Sequence, residues 1–454
     1  MNKIIIIGAG LSGRLLSLNL LRTPDASNGA EIILIDKGNE KYMGPAYSAD
    51  EKHLLLNVPA DRMGAYSDDP EHFLKWVRNK GINADKFDFL PRSLYREYIL
   101  ELLHEAIRSN KNNLTFKHIS REVIDIEYSD NRIKIYLQTG ETILADKVVL
   151  ALGNFPPADP KINNPEVLKS KRYIRNPWTP GILSSLSEND SVFLIGTGQT
   201  MVDLVLILQK RNHKGKITGI SRHGYLPLVH KGFDAYDSYY EELKEKSNVY
   251  DIFKVILKHM ERAGRMGTDI RGVIDSLRPA TQSIWKGLPE QEKYRFNRHL
   301  YRYWEIIRSR IPAESDAVIK KLISSGQLRI IPGRVVDLKE RIKNLEIHYL
   351  IRGETTAHIE PADFIINCCG PESDYSRIDD ILVRNLMKKE VIHPGPVNLG
   401  IDALADGSVI GKDGAASGKL FTIGPPMRGV LFETIAVPEI RVQAEQLAEK
   451  LLEN

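Results

Sequence analysis

The stretch that most constrains this chain is its opening. An apolar run, Lys3 to Ile7, leads directly into Gly8-Ala9-Gly10-Leu11-Ser12-Gly13, and leucines then recur at helical spacing through Leu15, Leu16, Leu18, Leu20 and Leu21. A buried strand, a glycine turn and a helix, in that order, form a cradle for a dinucleotide. Gly8 lets the chain turn sharply, Gly10 lets backbone amides approach a pyrophosphate, and Gly13 lets the helix pack on the strand. The helix start then offers unpaired N–H groups and a favourable dipole to the phosphates. A second apolar strand, Glu31 to Ile35, ends in Asp36, 23 residues beyond Gly13. An acid there suits a ribose hydroxyl, and the spacing is close to the expected value of roughly 20.

The theme recurs in the second half. Val192 to Ile195 reads as a strand, Gly196-Thr197-Gly198-Gln199-Thr200-Met201 as the turn, and Val202 to Leu208 as the helix, with Met201 in the third glycine's place. The next strand, Ile217 to Ser221, ends in Arg222-His223. An arginine at that position accommodates a 2′-phosphate and favours NADPH over NADH; the alternative is a solvated strand-end arginine. Each cradle is followed by a closing unit. Leu114 to Gly153 alternates as a small antiparallel meander and ends on Ala145-Asp146, an apolar strand and Gly153. Arg329 to Gly370 does the same and ends on Ala362-Asp363, an apolar strand and Gly370.

These matches indicate an internal duplication: an α/β fold with two Rossmann-like dinucleotide-binding domains. We expect the first domain to comprise 1–175 and 371–454, and the second 176–370 with a helical insertion at about 236–321. Within the insertion, Arg295, Arg298, His299 and Arg302 fall at i, i+3, i+4 and i+7, which places them on one helix face. Such a face either binds an anion near the cleft or is a solvated or subunit-contact stripe. Trp285, Tyr294, Tyr301 and Trp304 suit part of a substrate wall. Leu420 to Gly424, a Gly-Pro turn and a last helix from Glu439 to Glu453 complete the first domain.

Composition narrows the function classes. At 454 residues the chain exceeds what one core supports. A net charge of +4 argues against nucleic acid as the main partner. The two cysteines, Cys368 and Cys369, are adjacent, which excludes a disulfide framework, a CxxC redox pair and a cysteine-based zinc site. No apolar run has the length of a membrane span. The expectation is a cytoplasmic protein whose partner is a small molecule, with neither nucleic acid nor membrane, and of unassigned oligomeric state. His72, His223 and His230 could titrate near neutral pH, but lone histidines are more often structural, and no catalytic residue or metal ligand is assigned.

Further segments carry a resemblance. Gly44-Pro45-Ala46-Tyr47, Leu55-Leu56-Asn57-Val58-Pro59-Ala60, Asp69-Pro70-Glu71-His72-Phe73, Gly196 to Asp203, and Arg428-Gly429-Val430-Leu431-Phe432-Glu433 stand out. With them the chain resembles the two-dinucleotide-binding flavoproteins. Within these it is similar to a bacterial FAD/NAD(P)-binding group that includes FAD-dependent urate hydroxylases and aspartate N-hydroxylases. The resemblance implies FAD at the first cradle and a nicotinamide, NADPH by the arginine argument, at the second. Candidate cofactor-binding residues in the first half and C-terminal stretch are then Gly8, Gly10, Leu11, Ser12, Gly13, Asp36, Lys37, Asn57, Val58, Gly153, Gly424 and Glu433. In the second half they are Gly196, Gly198, Gln199, Thr200, Arg222 and Gly370. Gly424-Pro425-Pro426 stands where many such flavoproteins carry Gly-Asp, which removes one expected partner of the ribityl chain. The implied activity is an NADPH-dependent FAD monooxygenase acting on a small, polar, nitrogen-containing molecule. A reductase or dehydrogenase without oxygen insertion, and a flavin-bound scaffold or sensor, remain alternatives.

Overall fold

Two largely parallel sheets carry the two cradles. The computed structural model describes residues 2–23, 29–48, 53–110, 113–129 and 131–453. The first sheet runs in the order Ser408–Ile410, Ala416–Thr422, Lys147–Leu150, Asn2–Ile7, Ala30–Asp36, Leu114–Ser120. All its pairs are parallel except the first. Ile4 to Ile7 form an unbroken apolar run because both faces of this central strand are covered. Ile4 and Ile6 pack with the helices Leu11–Arg22, Arg92–Ser109 and Val437–Leu452. Ile5 and Ile7 pack with a small antiparallel sheet, Val123–Ser129, Arg132–Leu137 and Thr142–Ala145, and with the helix Ile381–Lys388.

The second sheet runs His358–Ala362, Leu345–Ile351, Leu328–Glu340, Ile217–Ser221, Val192–Ile195, Phe364–Asn367, Tyr173–Ile174. The helices Gln199–Lys210 and Ala313–Ser324 share one core on one of its faces.

Four details differ from the sequence reading. Leu114–Ser120 is not part of the meander: it is the parallel edge strand beside Ala30–Asp36. In the second half the equivalent strand and the start of the meander fuse into the 13-residue Leu328–Glu340. It pairs parallel with Ile217–Ser221 through Pro332 and antiparallel with Leu345–Ile351 from Gly333 onward. Tyr173–Ile174 pairs with Ile365 and Ile366 in the second sheet, so the chain enters that sheet before position 175. Ala313–Ser324, included in the expected insertion, is the crossover helix of the second cradle. The insertion proper is the group of helices from Val249–Arg265 to Tyr301–Arg308, built around its own core of Leu243, Val273, Leu277, Trp285 and Leu288.

Candidate functional site: two cradles and the insertion between them

The duplication holds at the level of single hydrogen bonds. Gly8 has φ +112° and Gly196 φ +113°, a conformation open to glycine. The Gly8 N–H donates to Ile35 O at 2.8 Å, and the Gly196 N–H to Ile220 O at 2.7 Å. A Cβ on Gly8 would lie 2.2 Å from Ala151 O, and one on Gly196 would lie 2.5 Å from Cys368 O. Both clashing carbonyls belong to the closing units, which therefore press on the glycine turns. The aspartates of those units serve the strand starts: Asp146 accepts from Lys3 N at 2.7 Å and Asp363 from Ser191 N at 2.8 Å. Cys368 is thus the counterpart of Ala151, a buried residue of the closing unit. Burial raises its thiol pKa and pushes that of Cys369 up to about 11.

At the first cradle Gly13 is essential to packing, since a Cβ there would meet Gly8 O at 2.0 Å, whereas Gly10 faces open space. That is the division of roles a pyrophosphate site requires. Asp36 holds the turn: its carboxylate accepts from Ala9 N at 2.8 Å and Gly38 N at 2.6 Å. Arg14, buried and absent from the sequence-level candidates, clamps the same turn through Ala9 O (2.8 Å) and the Glu40 and Tyr42 carbonyls. Burial pulls its pKa down to about 10. Lys37 is exposed and pairs with Glu122 at 3.2 Å. Gly424 comes to the first helix start: a Cβ there would lie 2.2 Å from Ser12 Oγ. Near it, Thr434 Oγ1 and Gln443 Nε2 are buried without hydrogen-bond partners, while Gln443 Oε1 accepts from Gly424 N at 3.0 Å. An open glycine, a free helix start and orphaned polar atoms fit a bound FAD.

At the second cradle, Gly198 has only Arg302 Nη1 within 4 Å of a built Cβ, at 3.9 Å. Gln199 Oε1 is buried with no partner, and Met201 is fully buried. Arg222 is exposed at the strand end. The charges of Arg352, Arg222 and Arg302, in that order, reach His223 and add to desolvation in lowering its pKa. Arg302 lies over the glycine turn, donating to Thr197 Oγ1 at 3.3 Å and Tyr225 O at 3.0 Å. This cationic cluster around an open turn fits a nicotinamide dinucleotide carrying an extra phosphate. The expected basic helix face is not continuous. Glu290–His299 stops at Leu300, and Arg302 sits on the next helix, Tyr301–Arg308. Arg295 is engaged by Glu292 at 2.5 Å.

The insertion docks on the segment after Gly424. Trp285 stacks on Phe432 with ring centroids 4.6 Å apart, and its Nε1 donates to Gly429 O at 2.8 Å. Phe432 holds φ +66°, a left-handed conformation that a bulky residue adopts only under constraint. The Glu433 carboxylate accepts from Trp304 Nε1 (3.2 Å) and Arg308 (2.6 Å), so it joins insertion to loop. Asn57 and Val58 lie on a loop tied to the second half. His230 Nε2 meets Asn57 O at 3.0 Å, and burial brings the His230 pKa down to about 4. Arg92 holds Leu55 O at 2.9 Å and forms a buried two-pronged pair with Asp203 at 2.9 and 3.0 Å. Asp203 belongs to a motif visible in the sequence, but its partner 111 residues away is not signalled there.

Residues 5–155 match the FAD-NAD(P)-binding family profile. The structure is similar along its length to L-lysine 6-monooxygenase from Pseudomonas syringae (13% identity, 99% of both chains, TM-score 0.68). It is also similar to a Kutzneria ornithine N-hydroxylase with reduced FAD, NADP+ and L-ornithine (12% identity, 99% of this chain and 98% of that one, TM-score 0.65). This is the two-dinucleotide flavoprotein fold. The chain also shares this fold with Lactococcus lactis thioredoxin reductase, at a TM-score of 0.53, 10% identity, and coverage of 99% of this chain and 97% of that one. No curated protein matches the sequence at a significant level. Among the described residues no cluster of three or more His, Cys, Asp or Glu side chains could hold a metal ion. No helix among them is long and apolar enough to cross a membrane.

Proposed function

We propose that this chain is an FAD-dependent, NADPH-using monooxygenase that hydroxylates the nitrogen of a small amine. The observation that carries the reading is the docking of the helical insertion, through Trp285, Trp304 and Arg308, onto the Gly429–Glu433 segment beside the first cradle. The same insertion reaches the second cradle through Arg302, which donates to Thr197 Oγ1 and Tyr225 O, so it touches both cradle regions, and chemistry in which water must not compete needs such a cover. The lysine and ornithine N-hydroxylases named above share the fold over nearly their whole lengths, which favours the amine side of the resemblance over the purine side. A disulfide reductase needs two cysteines poised to exchange. Here Cys368 and Cys369 are adjacent, and burial raises both thiols.

FAD would be held by Gly8, Gly10, Ser12, Gly13, Asp36 and the Gly424 turn, and NADPH by Gly196, Gly198, Gln199 and Arg222. Bound FAD supplies hydride acceptance from NADPH and electron delivery to oxygen. The balance is amine, O2, NADPH and a proton giving hydroxylamine, water and NADP+. The protein's own part is orientation and exclusion of water. The His230–Asn57 contact, and Arg92 bridging Leu55 O to Asp203, fix the 55–58 loop against the second half. We assign 1–172 and 371–454 to the FAD half and the rest to the NADPH half.

The test is oxidation of NADPH by the purified holoenzyme over a panel of small amines and amino acids, with oxygen uptake, peroxide and hydroxylamine measured together. Hydroxylamine formed in step with NADPH consumed, with peroxide falling, is the expected result. NADPH consumption that no amine diverts from peroxide would instead favour a reductase awaiting another acceptor. Failure of NADPH to reduce the flavin at all would leave a non-catalytic flavin protein.

A further inference from the structure

The second cradle has an aromatic rim. His223, Tyr225 and Tyr303 form a three-ring cluster there. The His223 and Tyr225 rings stack with centroids 5.4 Å apart and 10° between planes, and Tyr303 lies 5.9 Å from each. Tyr225 is 37% exposed and Tyr303 43%, so the cluster leaves ring surface open to solvent. Apolar side chains scattered singly over a surface need no explanation; two exposed tyrosines brought together from separate segments do. His223 and Tyr225 follow the strand Ile217–Ser221, whereas Tyr303 comes from the insertion helix Tyr301–Arg308.

Hydrogen bonds fix this rim to the glycine turn. Thr197, buried between Gly196 and Gly198, donates through Oγ1 to Tyr225 O at 2.6 Å and meets Ser221 Oγ at 2.7 Å. Gly224 holds φ +66° and its N–H donates to Ser221 O at 3.1 Å, which folds the chain back over the strand end. Arg302 spans the same gap: its Nη2 donates to Tyr225 O at 3.0 Å, and its Nη1 stands 3.9 Å from a Cβ built on Gly198. Arg352 Nη1 donates to His223 Nδ1 at 3.1 Å, so Nδ1 is an acceptor and the ring against Tyr225 is neutral, with its proton on Nε2. In a dinucleotide site the pyrophosphate sits at the glycine turn and the adenosine ribose at the end of the next strand. The base on that ribose therefore leaves the cradle past the strand end, where Arg222, His223 and Tyr225 stand.

Resting on the reading of the second cradle as the NADPH site, we infer that Tyr225 and Tyr303 form a stacking platform for the adenine of the coenzyme. The insertion thereby supplies part of the coenzyme site, and the base is recognised by its π face and not by its hydrogen-bonding edge. Stacking of this kind tolerates a change of base, because every base has a π face. The test is calorimetric titration of oxidised holoenzyme with NADP+, with its hypoxanthine analogue, and with adenosine 2′,5′-bisphosphate, which carries the base and the 2′-phosphate but no nicotinamide. Tyr303→Ala should weaken NADP+ and the bisphosphate by the same factor, roughly five- to a hundredfold for the loss of one base–aromatic stack. Tyr303→Phe should restore both affinities, since the ring and not the hydroxyl does the stacking. The wild type should bind the hypoxanthine analogue nearly as well as NADP+. Melting temperature and FAD content should not change in either variant, because Tyr303 lies at the surface, and a merely structural role would move them. Unchanged NADP+ affinity in Tyr303→Ala, equal losses in Tyr303→Ala and Tyr303→Phe, or a hypoxanthine analogue bound far more weakly than NADP+ would each overturn the platform while leaving the NADPH reading in place. A wild type that binds none of the three ligands would overturn both. Hydroxylamine formation over the amine panel judges the oxygenase reading separately.

Discussion

At the scale of single residues, the glycines of one turn have separable duties. Gly8 combines φ +112° with a carbonyl 2.2 Å from where a Cβ would stand, whereas Gly10 has open space around it. Gly8→Ala should therefore destabilise the chain itself, by about 1–3 kcal/mol from backbone strain before the clash is counted. Gly10→Ala should leave the unfolding midpoint of FAD-free protein unchanged and act on flavin retention alone. Urea unfolding of stripped protein, with the flavin content of purified protein, reads the two effects apart; equal midpoints for the two variants would contradict this division. His230 allows a pH prediction. Its pKa of about 4, depressed by burial, lies below the usual histidine value of about 6.5. The unfolded chain therefore binds a proton that the folded one refuses between those values. The associated stability is complete above about pH 6.5 and is lost as pH falls towards 4. His230→Gln should flatten the fall in melting temperature across that window, and an unchanged slope would show that other groups cause it.

At the scale of elements, the contacts that lock the two halves together are long-range side-chain pairs. Arg92 starts one helix, Asp203 lies in another, and their buried pair also holds Leu55 O. Arg92→Met alone strands a buried carboxylate and should cost about 3–5 kcal/mol, whereas Arg92→Met with Asp203→Leu should recover most of it. Flavin retention should stay impaired in the double variant, because Leu55 O has still lost its donor. Recovery of both properties together would show that the Leu55 contact is unimportant. These locks also mark the limit of what the sequence discloses. Glycine turns, apolar strands and the Ala-Asp closing units were legible because each is dictated by local backbone chemistry. The break at Leu300 was not, because an i, i+3, i+4, i+7 pattern cannot reveal that the chain turns within it. Glu433 is a candidate cofactor residue by sequence, and the structure adds what the sequence does not show: its carboxylate accepts from Trp304 and Arg308, which lie over a hundred residues away in the chain. The pairing of Arg92 with Asp203 is equally a product of tertiary contact.

At the scale of the whole molecule, the duplication allows one half to be a control for the other. Both cradles share the same turn geometry, yet the first strand end carries Asp36 and the second carries Arg222. Asp36 is committed to Ala9 N and Gly38 N, so it is part of the turn as well as a candidate ribose ligand. Arg222 is exposed and shares its surroundings with His223, Arg302 and Arg352. A 2′-phosphate arriving there meets several cations and a histidine whose pKa is lowered by desolvation first and by those cations next. Arg222→Ala removes one charge-assisted contact, worth about 1.5–3 kcal/mol. The affinity for NADPH should then fall roughly ten- to a hundredfold while that for NADH changes little. The phosphate should also raise the His223 pKa, so coenzyme binding is coupled to partial proton uptake by the His223 imidazole. Calorimetric titration of NADPH in buffers of different ionisation enthalpy measures that uptake, and NADH, lacking the phosphate, should show much less. FAD content is the internal control and should not change in Arg222→Ala, because its cradle ends in an acid on the other sheet. Equal affinity of the wild type for NADPH and NADH, or equal loss of both in Arg222→Ala, would remove the arginine from coenzyme selection. The duplication would then be one of backbone alone, with the second dinucleotide chosen elsewhere on its surface.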